Sequence, residues 1–295
     1  MFSRLHYRFR LGSRTFLLGE RTFIMGVLNV TPDSFYIGGR YPDTQLAVRR
    51  AFELEEAGAD ILDIGGESSR PGADPISADE EIARVLPVLE GLQGKLRIPI
   101  SLDTQKAAVA DVGLRNGVTI INDVSGLRSD PEIASLVKSR GVALVVGHMR
   151  GAPRSMHKGP FARDVIRDVL GGLKKSIAMA KRAGISQSRL LVDPGIGFGK
   201  SYLQNFELLA RVRDLAGLGY PIVVGPSRKM FIGWALGAKR EIWPAEKREW
   251  GTAAAVTTAI LNGAHIVRVH DVSEMAQVAR IADLVLSAYE KRAYN

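Results

Sequence analysis

Seven short apolar segments in this chain each run into a residue able to bind or polarise a substrate: Asn29, Asp63, Asp103, Asn122, His148, Asp193 and His270. Carboxylates and amide oxygens accept hydrogen bonds from N–H edges, and histidine serves phosphate oxygens or metals. The stretches behind them (23–28, 61–62, 98–102, 119–121, 142–146, 190–192 and 266–269) are short and β-branched, which reads as strand rather than helix. When polar residues gather at the carboxyl ends of parallel strands, they converge on one face of a closed barrel, where such barrels do their chemistry.

Elements able to position those residues follow from the rest of the pattern. Helical periodicity covers 44–56, 78–90, 105–116, 131–139, 163–183, 203–215, 247–261 and 272–289. Five of these helices end in a glycine that precedes a new apolar strand (Gly58, Gly117, Gly141, Gly184, Gly263), as a C′ glycine would. Ser77 and Glu80 have capping-box spacing. A hairpin is expected over 7–23, turning near Gly12 and Gly19. With 221–225 added as a strand, there are eight strand-plus-helix units. The expected fold is therefore α/β: a (β/α)8 barrel of eight parallel strands with outer helices behind a short N-terminal β-hairpin. It would be one domain over 1–295, with the hairpin at about 5–22 and the barrel at about 23–290. A doubly wound open sheet is the alternative, but it needs fewer repeats or a second domain, and no Rossmann fingerprint supports it. The run DPGIGFGKS from Asp193 to Ser201 fails both nucleotide tests: a P-loop needs glycine at Pro194, and a dinucleotide turn needs it at Lys200.

Composition narrows the function classes. The chain has 295 residues, 46% apolar and 24% charged, the balance of a soluble globule with ample core. It has no cysteine, which removes disulfides, thiolate catalysis and cysteine metal sites, and its five histidines show no helical metal spacing. No window approaches the roughly 18 apolar residues of a membrane span, and the start lacks a signal-peptide pattern. A cytoplasmic protein with no membrane association is expected. The net charge of +9 is dispersed among acids, as in EKREW and KKSIAMAKR, with no interleaved aromatics. That distribution favours a solvated surface with a local anion site over nucleic-acid binding.

Two constellations stand out. Barrels that bind phosphate use the loops after strands 7 and 8, and these carry Ser227-Arg228-Lys229 and Arg268-Val269-His270-Asp271. Arg268 and His270 are two apart on an extended strand, hence on one face. Either they face phosphate or Arg268 pairs with a core carboxylate. The second constellation is Asp103, Asn122 and Asp193, whose donors could be Lys229 or the guanidine-like edge of a 2-amino-4-oxo heterocycle; a structural ion-pair network is the alternative. The loops over 29–35 and 65–72 are rich in glycine, proline and hydroxyls, as loops over a barrel mouth often are.

The strings MGVLNVTPDSF, DIGGESSRPG, PISLDTQKAAVA, INDVSG, DPGIGFGK, GPSRKMFIG, GTAAA and IVRVHDV, in this order, resemble the dihydropteroate synthase family of pterin-binding TIM barrels across nearly the whole barrel. The resemblance implies condensation of 6-hydroxymethyl-7,8-dihydropterin pyrophosphate with 4-aminobenzoate, giving 7,8-dihydropteroate and pyrophosphate in folate biosynthesis. By motif position it implies that Asp103, Asn122, Asp193 and Lys229 hold the pterin, with Asp63 supporting them, and that Asp103, Asp193 and Lys229 are the catalytic set. It further implies that Ser69, Arg70, Arg268 and His270 take the pyrophosphate, that Asn29 coordinates Mg²⁺, and that Ser69, Pro71, Phe198 and Lys229 receive the aminobenzoate. A homodimer and a sulfonamide target are expected on the same ground. The chain departs from the family pattern at Gly147, where methionine is usual, at Ser69, where threonine is usual, and at Ile37, where an acid often stands. Methyl transfer from methyltetrahydrofolate to a corrinoid protein is a related reading that would not need the cationic side. A binding-only paralogue is another.

Overall fold

A computed structural model of the chain describes residues 4–11, 14–31, 43–68, 72–152, 154–156, 158–238 and 241–293, with 290–293 as backbone. It begins with an antiparallel hairpin, β1 (Tyr7–Leu11) and β2 (Arg14–Leu18). Strands and helices then alternate: β3 (Phe23–Asn29), α1 (Thr44–Glu56), β4 (Ile61–Gly65), α2 (Ala78–Leu92), β5 (Ile100–Asp103), α3 (Ala107–Arg115), β6 (Val118–Asp123), α4 (Glu132–Arg140) and β7 (Ala143–Gly147). The second half runs α5 (Val165–Arg182), β8 (Leu190–Asp193), α6 (Tyr202–Ala210), β9 (Val223–Val224), α7 (Met230–Leu236), α8 (Glu249–Leu261), β10 (Ile266–Val269) and α9 (Val272–Ala293).

Neighbouring barrel strands pair in parallel in the order β8-β7-β6-β5-β4-β3-β10-β9. A parallel bridge between Val192 and Ile222 joins β8 to the start of β9 and closes the ring. The eight-stranded barrel and its leading hairpin are as expected. Because side chains alternate along a strand, the barrel has two apolar cores. One, between strands and helices, takes Ile24, Leu62, Leu102, Ile121, Leu144, Val192 and Val267. The other fills the barrel with Met25, Ile61, Ile120, Val145, Leu191, Val223 and Ile266, and the hairpin's Phe9, Leu11 and Leu18 join it. The hairpin thereby plugs the end opposite the strands' carboxyl termini. Arg4 fastens it there, donating to Gly19 O, Thr22 Oγ1, Ala264 O and Asp283.

The helices obey their local signals. On α5, Val165, Ile166, Val169, Leu173 and Ile177 form one buried stripe, and the Asp164 side chain caps the first turn through Arg167 N–H. Each fully buried aliphatic side chain of that stripe contributes about 1.5–3 kcal/mol, so Leu173→Ala would loosen the helix most. All five expected C′ glycines have positive φ. Ser77 accepts from Glu80 N–H as an N-cap, without the reciprocal half of a box.

Beyond shifts of a few residues at element ends, the structure differs from the sequence expectations at three elements. The helix expected over 203–215 stops at Ala210 and continues as a tighter 3-10 segment, Val212–Leu218. The strand expected over 221–225 pairs only at 222–224, since Pro221 and Pro226 lack the N–H a ladder requires. Helix α7 escaped the periodicity reading because seven residues make barely two turns.

Candidate active site

Strand alternation selects what reaches the barrel mouth. Two or four places beyond an interior residue come Asn29 (after Met25), Asp63 (after Ile61), Asn122 (after Ile120), Asp193 (after Leu191) and Arg268 (after Ile266). Asp103 stands in register with Gly65 on one side and Asn122 on the other. These residues share the interior face. His148 falls on the opposite parity, one beyond interior-facing Gly147, and so leaves the group.

At the centre is Arg268. Its Nε donates to Asp63 Oδ2 at 2.6 Å and its Nη2 to Asp103 Oδ2 at 2.9 Å. Asn122 Nδ2 donates to the same Asp63 oxygen at 3.2 Å, while Asp63 Oδ1 is buried without a hydrogen-bond partner. Burial pushes the Asp103 carboxyl up to about 7 against the pull of Arg268. Burial also raises Asp193, opposed first by the Gly195 N–H that donates to its Oδ1 at 2.6 Å. On Arg268 burial works against the charge, yet Asp63 and Asp103 outweigh it and hold the guanidinium above its ordinary range. The structure thus realises the alternative in which Arg268 pairs with core carboxylates, and it also places Arg268 on a cavity wall.

That cavity, of about 610 Å³, is lined by Asn29, Ser68, Phe198, Ser227, Lys229, Arg268 and His270 among others. Lys229 Nζ lies 4.0 Å from the Phe198 ring centroid, a cation–π distance. Burial, then Arg268, pushes Lys229 down to about 8, while Asp193 and Asp103 pull the other way. Asp63, Asp103, Asn122 and Asp193 do not line this cavity. The carboxylates Asp63 and Asp103 are bonded to it through Arg268, and Asp103 and Asp193 act on it through the charge of Lys229.

Ser227 Oγ accepts the His270 backbone N–H at 3.2 Å and lies 2.9 Å from His270 Nδ1, fixing the imidazole. Arg228, expected to add to an anion site, instead engages Asp271 with Nε and Nη2. Its φ of +56° is unusual for a non-glycine residue. Four bonds hold it there: two to Asp271, one from its own N–H to Thr252 Oγ1, and one from Arg248 Nη1 to its carbonyl.

Ser69, Arg70 and Pro71, expected at the pyrophosphate and aminobenzoate subsites, and Ile37 lie outside the described residues. The described residues on either side of 69–71 are tied together. Glu67 Oε1 accepts from Ile76 N–H, and Lys106 Nζ bonds Glu67 at 2.9 Å and buried Glu81 at 2.5 Å. No group of three or more His, Cys, Asp or Glu side chains forms a metal cage among the described residues. Yet a point one Cβ above Gly65 lies 3.8 Å from both Asn29 Oδ1 and Asp103 Oδ2. Asn29 also lines the cavity, and its amide oxygen is of the kind that serves as one ligand to a hard cation drawing its remaining ligands from phosphate and water.

His148, one of the seven strand-end residues, takes no part in this cavity. Its Nδ1 lies 3.0 Å from Lys200 Nζ and its Nε2 3.6 Å from Asp168. Burial and the nearby cations Lys200, Arg128 and Arg150 push it down to about 2, so the ring is neutral. Sequence reasoning missed Lys200, Asn205 and Thr252 as site residues. The available signal was the Ser201-to-Gln204 capping box directly after a glycine-rich run.

Residues 25–270 match the family model for pterin binding enzymes. A dihydropteroate synthase of Bacillus subtilis is 43% identical over 262 residues, 89% of this chain and 88% of the relative. A dihydropteroate synthase of Xanthomonas albilineans, solved with 4-aminobenzoic acid, superposes with a TM-score of 0.86 at 40% identity over 95% of this chain and 98% of that one. The Yersinia pestis dihydropteroate synthase in a sulfonamide drug complex gives 0.87 at 37% identity over 96% and 100%.

Proposed function

The chain belongs to the pterin-binding enzyme family, and within that family we propose that it is a dihydropteroate synthase. It condenses 6-hydroxymethyl-7,8-dihydropterin pyrophosphate with 4-aminobenzoate in folate biosynthesis, a transferase reaction. The observation that carries this reading is Arg268, which lies on the cavity wall with His270 and Lys229 while its guanidinium bridges Asp63 and Asp103. One wall thus joins an anion-binding face to a carboxylate cluster, the two kinds of group that the two halves of such a substrate require. A methyl transferase to a corrinoid protein would have no use for the anion-binding half.

In the reaction the bond from the pterin methylene to the pyrophosphate oxygen breaks with its electron pair leaving on pyrophosphate. The arylamine nitrogen then attacks the methylene and sheds a proton. Asp103, Asn122, Asp193 and Lys229 would hold the pterin, with Asp63 behind them. Asp103 and Asp193, as anions in a poorly hydrated site, would stabilise the positive charge that grows on the ring. Arg268, His270 oriented by Ser227, and Ser69 and Arg70 would take up the leaving charge. The amine of aminobenzoate is neutral at pH 7 and needs placement more than a base. Phe198, Pro71, Ser69 and Lys229 would provide it. Asn29 Oδ1 would hold Mg²⁺ together with phosphate oxygens, and that ion would neutralise part of the pyrophosphate charge.

A single catalytic domain in a homodimer is part of the proposal. Trp250 on α8 and Ile281 and Leu284 on α9 are 82%, 64% and 59% exposed, large apolar side chains that a second copy would bury. No helix of the described residues is long and apolar enough to cross a membrane, and we place the enzyme in the cytoplasm. The Phe198–Lys229 pair supports sulfonamide binding as an aminobenzoate mimic.

The deciding experiment is pyrophosphate release by the purified protein from dihydropterin pyrophosphate and Mg²⁺, with and without 4-aminobenzoate. Release that depends on the arylamine and yields dihydropteroate is expected. Pterin binding with no turnover would overturn the proposal in favour of a binding-only barrel.

A further inference from the structure

The run from Asp193 to Ser201 places glycine at 195, 197 and 199, and all three have positive φ. A backbone so rich in glycine has many conformations to lose, yet this loop must present Phe198 to Lys229 in one geometry. Something must pin it. Two of the glycines permit close approach to the segment after β7: a Cβ at Gly195 would lie 1.9 Å from His148 O, and one at Gly199 would lie 2.0 Å from Arg150 O. The loop backbone therefore lies flat on 148–150, and Arg150 N–H donates to Phe198 O at 3.3 Å.

Two side chains staple it in place. Lys200 is 3% exposed, and its Nζ reaches His148 O at 2.7 Å, Gly195 O at 2.8 Å and His148 Nδ1 at 3.0 Å. Three acceptors match the three N–H donors of an ammonium, and two of them are backbone carbonyls on the two sides of the junction. Asn205, 1% exposed on α6, accepts Gly197 N–H at 2.6 Å and donates to Ser201 O at 2.8 Å. Phe198 stands between the anchored positions, its own N–H donating to Gly195 O at 3.0 Å. Lys200 and Asn205 line the same cavity as Phe198 and Lys229. His148 explains itself here: its ring is an acceptor for Lys200, held in a slot where a Cβ on Gly172 would lie 2.3 Å from the imidazole.

We propose that Lys200 and Asn205 are positioning residues for the arylamine substrate: they tie the 195–199 loop to the end of β7 and to α6, and so fix the Phe198 wall of the aminobenzoate subsite without touching the reacting atoms. A buried ammonium is costly to keep away from water, and burial pushes Lys200 down to about 7, with Asp193 and Asp168 pulling the other way. Its three bonds hold a loop that closes one wall of the cavity, and they link no helix to the barrel core. The pterin side meets this loop at Asp193, through the Gly195 N–H, and at Lys229, which Phe198 faces, while Asp63, Asp103 and Asn122 stand on strands away from it. The effect of losing the staples should therefore divide unevenly between the two substrates.

This inference rests on the synthase reading, so wild-type formation of dihydropteroate is measured first; its failure would defeat that reading before any variant is made. In Lys200→Met, which keeps the stem and loses the donors, KM for 4-aminobenzoate should rise about tenfold or more. Calorimetric binding of dihydropterin pyrophosphate alone should stay within about twofold of wild type. Asn205→Ala should shift the same KM in the same direction, and it decides the matter alone if Lys200→Met does not fold. An aminobenzoate KM within about twofold of wild type in the folded variant, or equal losses for both substrates, would show these side chains to be ordinary core stabilisers and would overturn the proposal.

Discussion

Arg268 Nε donates to Asp63 Oδ2 at 2.6 Å, with the Asp63 side chain fully buried and Arg268 nearly so. A cation on the cavity wall is thus anchored by a carboxylate from the neighbouring part of the ring, two strands away through β3. Its second bond, to Asp103, crosses further around the ring to β5. The guanidinium can span both because it is planar and presents donors in a fork.

Lysine cannot make that span. Arg268→Lys should lower kcat/KM for dihydropterin pyrophosphate about 100-fold, about 2.7 kcal/mol, the scale seen when one preorganised donor is lost. Arg268→Met should also lower stability, by about 3–5 kcal/mol, because two buried carboxylates are left without their cation. Steady-state kinetics and urea unfolding read the two effects separately. Unchanged stability in Arg268→Met would mean that Asp63 and Asp103 do not depend on this partner.

The activity profile against pH follows from two shifted groups. Asp103 must be an anion to stabilise the pterin cation, and its raised value, about 7, means that charge is lost as pH falls through 7. Lys229 must be a cation, and its lowered value, about 8, means that charge is lost as pH rises through 8. The free-enzyme profile of kcat/KM should therefore be a narrow bell with its top between these values. A profile flat from about pH 6 to about pH 9 would remove both groups from the rate-limiting chemistry.

Lys229→Ala should abolish most turnover, by about 10² to 10³ in kcat/KM, while circular dichroism stays native, since Lys229 makes its contacts within the site. Phe198→Leu, which removes the ring and keeps the apolar wall, should cost about 0.5–2 kcal/mol of aminobenzoate binding. Sulfonamide inhibition should weaken in parallel with it. Near-normal turnover in Lys229→Ala would end its assignment to the site.

The parts of this site that sequence made legible are those that strand parity controls. Asp63, Asp103, Asn122, Asp193 and His270 could be picked out because each follows an apolar strand stretch, and Arg268 because it stands two residues before His270 on an extended strand; their convergence follows from closing the ring. His148 satisfied the same rule of thumb and failed, because one residue of offset turns a side chain to the other face. Lys200 and Asn205 were hard to read for a different reason: apart from the His148 ring their partners are backbone carbonyls and N–H groups, which carry no sequence signal of their own. Arg228 misled by its charge, since only the structure shows that charge used on Asp271. Helix ends, by contrast, were readable because a glycine at C′ answers a local steric demand.

Gly147 yields the least expected prediction. The family resemblance places methionine there, and a simple reading is that Gly147→Met restores a missing contact to the pterin. In this chain, however, a Cβ at Gly147 would lie 2.6 Å from Val124 Cα and 2.9 Å from Val124 O. These are backbone atoms that follow directly on β6, and they cannot swing aside as a flexible side chain would. Overpacking of this kind costs about 1–3 kcal/mol, which for a chain of this size lowers Tm by about 2–4 °C per kcal/mol. Gly147→Met is expected to melt earlier and to bind dihydropterin pyrophosphate no more tightly, because the strand end that carries it moves away from Asn122 to relieve the contact. Thermal unfolding and calorimetry on the same preparation test this. A tenfold gain in pterin affinity, about 1.4 kcal/mol, at unchanged Tm would show that β6 and β7 have room for the side chain and that Gly147 is a lost contact after all.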